Sequence, residues 1–454
     1  MMVSAPETLA AAPPLRRNLW QQVVSALRSD HAQARILSGS MIMLLGSALV
    51  SGVNFAYNMV TARLLGPTNF GHVSVTMTLL MLTSAITLAF QLVCAKFVAR
   101  NESMHGKWIV VRNLHKLAWV VSSVVALGLV SYSGALTRYL NLPARSILLL
   151  LALGIWFYIP LGVRRGAMQG QCAFPRLTSN FLLEAGVKFV GSVVLIELLL
   201  RTGMGNAVLG AIAALALSVM AAYFLPPLTP ELRSRDMPAC QGSFIPASVP
   251  EGMQAIVFFI GQVLINNIDI VLVKHFFSPQ QAGLYAAIAL VGRVLYLAAW
   301  SVVSAMFPVS ANVPQKDERF SILAIPLGVV LLISGGFVAI TSLIPHFIMQ
   351  MVFGAAFNSP LENLLSLYAA ATGLYALAVV LMAYEMSRKI ANTAWLQLAF
   401  SGLIIAGICL FHDDLGQVVM VQLVLMLMML IAVSVPFLRM RIQAARSFLK
   451  RREA

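Results

Sequence analysis

Long apolar runs recur from one end of this chain to the other, each close to the roughly 20 residues that a helix needs to cross about 30 Å of hydrocarbon. They fall near 36–62, 71–94, 114–133, 145–163, 177–200, 204–225, 250–273, 283–307, 320–344, 361–385, 392–411 and 416–437. Unpaired strand edges are excluded from lipid, so the pattern predicts an all-α integral membrane protein of about twelve transmembrane helices. The longest polar interruption, 226–249, carries Pro226, Pro227, Pro230, Pro238 and Pro246 together with Arg233 and Arg235. Such a stretch cannot be helical. It divides the chain into an N-lobe at 36–225 and a C-lobe at 250–437, flanked by basic tails at 1–35 and 438–454.

Composition agrees with the pattern. Of 454 residues, 59% are hydrophobic and only 10% charged, with a mean hydropathy of +0.86, against about 25% charged in soluble domains. A formal charge of +15 raises the question of nucleic acid, but nucleic-acid binders gather Lys and Arg on one soluble face. Here the cations alternate with the loops: 23 lie in the two tails and the even-numbered loops, against 5 in the odd-numbered loops. That bias places both termini in the cytoplasm. The first 35 residues lack the apolar core of a cleavable signal peptide, which makes the first span an expected signal-anchor. Trp20, Val23, Val24 and Leu27 beside Arg16, Arg17 and Arg28 suit either a short helix on the inner leaflet or a disordered basic tail. Cys94, Cys172, Cys240 and Cys409 are far apart and show no zinc or disulfide framework.

The two lobes repeat one another. The first span ends in Asn54-Phe-Ala-Tyr-Asn58-Met-Val-Thr-Ala-Arg63-Leu-Leu-Gly66-Pro67-Thr-Asn-Phe-Gly71. The seventh ends in Asn266-Asn267-Ile-Asp269-Ile-Val-Leu-Val-Lys274-His275-Phe-Phe-Ser278-Pro279-Gln-Gln-Ala-Gly283. One offset of 212 residues superposes Pro67 on Pro279, Gly71 on Gly283 and Asn54 on Asn266. Six spans per lobe is an even number, so both lobes insert with the same orientation as parallel repeats. Their axis runs along the membrane normal, with a substrate path between them.

At these residues, and on through Leu284-Tyr285 to Gly292-Arg293, the chain resembles the Wzx-type polysaccharide flippases of the multidrug/oligosaccharidyl-lipid/polysaccharide exporter superfamily. The resemblance implies a MATE-like, V-shaped, two-lobed carrier in the bacterial inner membrane. It implies as cargo an oligosaccharide on undecaprenyl pyrophosphate, turned between leaflets by alternating access. The expected partners are that cargo, membrane lipids, and a polymerase and glycosyltransferases of the same pathway. No cofactor and no nucleic acid are expected, and a proton or sodium gradient would drive the cycle.

Intramembrane polar residues are the candidate site. Ser47, Ser51, Asn54 and Asn58 form one stripe on the first span, and Gln262, Asn266 and Asp269 form its counterpart on the seventh. Such stripes line a shared cavity or hydrogen-bond neighbouring helices. Glu184 and Lys188 stand at i, i+4 on the fifth span, a spacing that permits a self-neutralising pair; Asn180 shares their face and Glu197 lies nearer the outer end. Arg293 sits mid-membrane on the eighth span with no carboxylate one turn away, on a stripe with Tyr296, Trp300 and Ser304. It is read as a phosphate ligand or as one half of an ion pair with Asp269 or Glu184. Tyr368, Thr372 and Tyr375 make an aromatic stripe on the tenth span, suited to sugar stacking or to helix packing. Substrate binding is thus assigned to Arg293, Lys188, Asn54, Asn58, Asn266, Tyr296 and Trp300, and ion coupling to Asp269, Glu184 and Glu197. Arg63 and Lys274 fall at the outer ends of their helices, where long cations snorkel.

Other chemistry is weaker. His412-Asp413-Asp414 reads as an external turn, not a metal site. No GxxxxGK[ST] phosphate loop is present, which argues against an ATP motor on this chain. A drug/cation antiporter would want an acidic cavity, against which Lys188 and Arg293 weigh. A glycosyltransferase or polymerase would want a sizeable external loop, and the longest expected one is near 345–360.

Overall fold

The computed structural model describes residues 32–203, 206–225, 249–312, 321–388 and 394–453. The amphipathic stretch around Trp20, nearly all of the proline-rich linker and Cys240 lie outside them. Fourteen α-helices are numbered here among the described residues. The first repeat is α1 (Ala32–Arg100), α2 (Met104–Ser131), α3 (Ser133–Tyr139), α4 (Ser146–Gly170), α5 (Phe174–Thr202) and α6 (Ala207–Phe224). The second repeat is α7 (Val249–Ile265), α8 (Ile268–Phe276), α9 (Pro279–Asn312), α10 (Ser321–Leu343), α11 (Pro345–Phe353), α12 (Leu364–Arg388), α13 (Ala394–Leu410) and α14 (Leu415–Glu453).

Nine of the described helices are long and apolar enough to cross a membrane. Twelve passes follow once three features are read together. α1 is two passes joined at a kink, since Gly66 adopts φ 71°, ψ 174°. Only glycine enters that region freely, and Pro67 then supplies the fixed φ that starts the next helix. The turn expected at 63–70 is therefore one residue wide. α5 is 29 residues long and crosses despite Glu184 and Lys188; α13, at 17 residues, is the shortest pass.

The seventh pass is broken where the apolar pattern predicts a continuous span. α7 ends at Ile265 and α8 begins at Ile268, with Asn267 at φ −135°, ψ −21° between them. Consecutive asparagines cause the break: the Asn266 and Asn267 amides donate back to the carbonyls of Gln262 and Val263, each at 2.8 Å, and compete with the helical ladder. Asp269 consequently stands in the first turn of a half-helix, where the dipole favours negative charge.

Within the N-lobe, α4 lies against the second limb of α1. An added Cβ at Gly162, Gly166 or Gly170 would stand 2.4, 2.4 and 2.6 Å from the carbonyl oxygens of Thr87, Gln91 and Ala95. This ladder of small residues lets two backbones touch, the usual way helices associate where burial from water provides no drive. It also carries α4 seven residues beyond the expected end of the fourth span. Arg165, counted with the following loop on sequence, is thereby inside a helix and 2% exposed. At the far end, α14 continues as helix through the expected tail to Glu453.

Candidate functional site

Among the described residues each lobe buries a charged network, and the two lobes touch at the repeated motifs. In the N-lobe, α4 presents Arg165 to two residues one turn apart on α5. Its Nε donates to Asn180 Oδ1 at 2.7 Å and its Nη2 to Glu184 Oε2 at 2.5 Å. The guanidinium lies 4.0 Å over the Phe181 ring, and Asn180 Nδ2 donates to Ala222 O on α6 at 2.7 Å. Glu184 therefore pairs with Arg165, not with Lys188 as the i, i+4 spacing suggests. Lys188, 7% exposed, donates instead to Asn54 Oδ1 on α1 and holds its ammonium 4.9 Å over the Tyr57 ring. Asn58 Nδ2 donates back to Asn54 O at 2.8 Å. This network holds two cations and one carboxylate.

The C-lobe network is built around Asp269, 1% exposed. Arg293 Nη2 on α9 lies 3.0 Å from its Oδ1, while the hydroxyls of Tyr285 and Tyr368 donate to Oδ2 at 2.9 and 3.0 Å. Gln422 Nε2 on α14 donates to Tyr285 OH at 2.7 Å, and Arg293 Nη1 reaches Asn267 Oδ1 at 3.4 Å. Of the two readings of Arg293, the geometry is that of the ion pair: its carboxylate is one helix away, outside the reach of a search along the eighth span. Charge is balanced here: α8, α9 and α12 meet on one aspartate, and α14 joins through Tyr285.

Other predicted residues divide. The aromatic stripes of the eighth and tenth spans meet: Tyr296 stacks on Tyr375 at 5.7 Å and on Trp300 at 6.3 Å. Asn266 bonds within its own helix, as Asn58 does in the other lobe. Glu197 joins neither network. It pairs with Arg201 at 3.4 Å along α5, with side chains 40% and 81% exposed. Asp414 acts as a turn residue, accepting the Gln417 N–H at 2.7 Å.

Sequence reasoning missed Arg165 altogether. The signal that could have found it is the run Gly162, Gly166, Gly170, which continues a helical period past the last strongly apolar residue.

The lobes meet where the repeated motifs lie. A Cβ on Gly283 would stand 1.8 Å from Pro67 O, and one on Gly71 would stand 2.8 Å from Pro279 O, so the two glycines sit on the pseudo-twofold axis. Around them run two reciprocal clasps. Arg63 Nε donates to Val352 O at 2.9 Å and its Nη2 to Met351 O, at the end of α11. His275 Nδ1 bonds Tyr139 O at 2.8 Å, at the end of α3. Arg63 and His275 are related by the offset of 212, and so are Tyr139 and Met351. Each lobe thus grips the same carbonyl of the other. Neither expected snorkelling cation snorkels: Arg63 caps α11, and Lys274 is 0% exposed, its Nζ without a hydrogen-bond partner among the described residues.

Residues 60–362 match the family described as polysaccharide biosynthesis protein. No curated protein matches the chain in sequence. Among solved structures, the chain is similar to a multidrug resistance MATE family transporter of the MOP superfamily in an inward-facing conformation. The TM-score is 0.66 at 14% identity, over 90% of this chain and 99% of that one. The outward-facing conformation of a multidrug resistance MATE family transporter gives 0.56 at 16% identity, over 93% and 98%. A MOP superfamily transporter from Pyrococcus furiosus, described as having a binding pocket of reverse polarity, gives 0.54 at 15% identity, over 94% and 99%. With twelve passes in two six-helix repeats that meet on a pseudo-twofold axis, the chain is a multi-pass membrane protein with the fold of the MATE transporters, and it belongs to the polysaccharide biosynthesis protein family.

Proposed function

We propose that this transporter flips an oligosaccharide linked to undecaprenyl pyrophosphate from the cytoplasmic to the periplasmic leaflet of a bacterial inner membrane. The observation that carries the reading is the surplus cation of the N-lobe: Lys188 is buried beside a neutral amide and an aromatic face, while the nearby carboxylate is held by Arg165. A surplus positive charge inside a membrane is costly. It suits an anionic headgroup and opposes a cationic drug. Asn54 and Asn58 stand beside Lys188 to meet phosphate or sugar hydroxyls, and Tyr296, Trp300 and Tyr375 supply stacked faces for sugar rings.

In this reading Asp269 is the ion-coupling carboxylate, on a half-helix N-terminus and neutralised by Arg293 until a proton or sodium ion replaces that partner. The positive-inside bias supports cytoplasmic termini. The glycine contact and the two clasps then lie at the periplasmic end and hold the lobes together there. The polymerase and glycosyltransferases of the same pathway are the partners that would supply and consume the cargo.

The test is flipping of a fluorescent lipid-linked oligosaccharide in proteoliposomes. Lys188→Met should abolish it while the protein stays inserted and abundant. Normal flipping in that variant, or ion-driven uptake of a quaternary ammonium dye by the wild type in place of the lipid, would refute the proposal.

A further inference from the structure

Glu184 and Lys188 lie one turn apart on α5 in the order, acid before base, that favours an intrahelical pair. Left to themselves they would neutralise one another. The structure keeps them apart by a device on a different helix. Arg165 spans Asn180 and Glu184, which are also one turn apart, with two nitrogens of one planar group, Nε to the amide oxygen and Nη2 to the carboxylate. That fork is fixed on its face by Phe181 at 4.0 Å, and its amide partner is fixed in turn by the Ala222 carbonyl. Lysine, a point charge with no planar fork, would not reproduce this two-nitrogen geometry. With its carboxylate engaged elsewhere, Lys188 turns across the lobe to the Asn54 amide oxygen and the Tyr57 ring. Neither partner carries a charge that cancels its own.

We infer that Arg165 is a positioning residue for cargo binding: by holding Glu184 it withholds the carboxylate from Lys188 and keeps the lysine charge available for an anionic lipid headgroup. This deepens the flippase reading and rests on it. Arg165 itself is 2% exposed, with two nitrogens already bonded, and acts through Lys188. The charge arithmetic is simple: with Arg165 present the local groups sum to one positive charge centred on Lys188; without it, Glu184 and Lys188 sum to zero.

The experiment measures the Kd of purified protein for a fluorescent lipid-linked oligosaccharide in nanodiscs, with membrane abundance and thermal midpoint recorded for every variant. Arg165→Gln should weaken binding at least tenfold in the folded protein, as Glu184 collapses onto Lys188. Adding Glu184→Gln to it should restore the affinity to within about threefold, because no carboxylate then remains to neutralise the lysine. Arg165→Lys should fall between. A purely structural ion pair predicts the opposite division, a lowered thermal midpoint with an unchanged Kd for the folded fraction, and that result overturns the inference. So does an Arg165→Gln, Glu184→Gln double variant that folds but still binds as weakly as Arg165→Gln. Should Arg165→Gln alone fail to fold, the double variant decides: binding near the wild-type value supports the inference, and loss of binding refutes it. Lys188→Met separates the two levels. Normal binding there refutes the cargo reading itself, whereas lost binding there with unaltered binding in Arg165→Gln refutes only the role of Arg165.

Discussion

The N-lobe and the C-lobe descend from one pattern, yet they spend their buried charge differently. In the C-lobe, Asp269 and Arg293 balance, and two tyrosines, an asparagine and a glutamine add hydrogen bonds around the pair. In the N-lobe, Arg165 balances Glu184 and Lys188 is left over. The position equivalent to Asp269 by the offset of 212 is Tyr57, which offers Lys188 a ring face in place of a carboxylate. A duplicated scaffold has therefore acquired one closed, neutral network suited to an exchangeable ion and one open, cationic network suited to an anion. Symmetry sets where the networks sit; their difference sets what each can hold.

The largest effect should come from breaking the closed network. Arg293→Ala leaves the carboxylate of Asp269, 1% exposed, without its cation, and breaking a buried pair from one side costs about 3–5 kcal/mol. Abundance in the membrane and the thermal midpoint should both fall sharply. Removing both charges, Asp269→Asn with Arg293→Met, should recover the fold while abolishing the dependence of flipping on an ion gradient. Arg165→Ala should be milder, because Glu184 is 16% exposed in its side chain and has Lys188 one turn away as a substitute. Equal losses in the two lobes would erase the distinction.

Next in size is the axis itself. Gly283→Ala places a Cβ 1.8 Å from the Pro67 carbonyl, whereas Gly71→Ala meets Pro279 O at 2.8 Å; only backbone can yield, and overpacking of this kind costs about 1–3 kcal/mol. Both variants should drive the lobes apart at this end, Gly283→Ala the more. Spin labels at the exposed positions Pro143 and Gln280 would record a longer distance. An unchanged distance in Gly283→Ala would show that the two motifs do not set the closed state.

The clasps should follow in the same assay. Arg63→Ala removes charge-assisted bonds worth about 1.5–3 kcal/mol, while His275→Ala removes one worth about 0.5–1.5 if the ring is neutral. Arg63→Ala should open this end further than His275→Ala, and the two should add, since they lie on opposite sides of the axis. If both clasps proved silent when cut, the glycine contact alone of these three would hold this end.

How much of this was open to a reader of the sequence follows from the range of each cause. Span number and the repeat were legible because membrane thickness and inversion-free duplication leave periodic marks: the apolar runs and the 212-residue register of Pro67 with Pro279. Asp269 stood out because a carboxylate in an apolar run is costly. Its partnership with Arg293 was one of two possibilities, since nothing local separates Asp269 from Glu184 as the acceptor. The pairing of Glu184 stayed open for the same reason. Local spacing favoured Lys188, and a tertiary contact from α4 overrode it. Arg165 was lost because the apolar run of the fourth span fades at 163 while the helix continues on glycine contacts, which hydropathy does not register. The break at Asn266 and Asn267 was likewise hidden, because Asn266 counted only as part of a polar face and Asn267 not at all, neither as a competitor for the backbone.

One further predicted effect has the opposite sign and bears on the lobes' difference at its most local. Lys274 is fully buried and its Nζ meets no acceptor among the described residues; its counterpart by the offset of 212 is Ala62, also fully buried. The scaffold therefore closes at that position without an amine in one lobe and carries one in the other. A buried polar group that lacks a partner opposes folding, by about 1–3 kcal/mol on mutational scales. Methionine has nearly the same length and no polar terminus. Lys274→Met should accordingly raise the thermal midpoint of the purified protein by a few degrees, and Ala62→Met in the other lobe should lower it by overpacking. The pair distinguishes a tolerated cost from a needed group. If Lys274→Met lowers the midpoint instead, the amine has an acceptor that stabilises the closed state, and the two lobes are then more alike in their charge pairing than their geometry indicates.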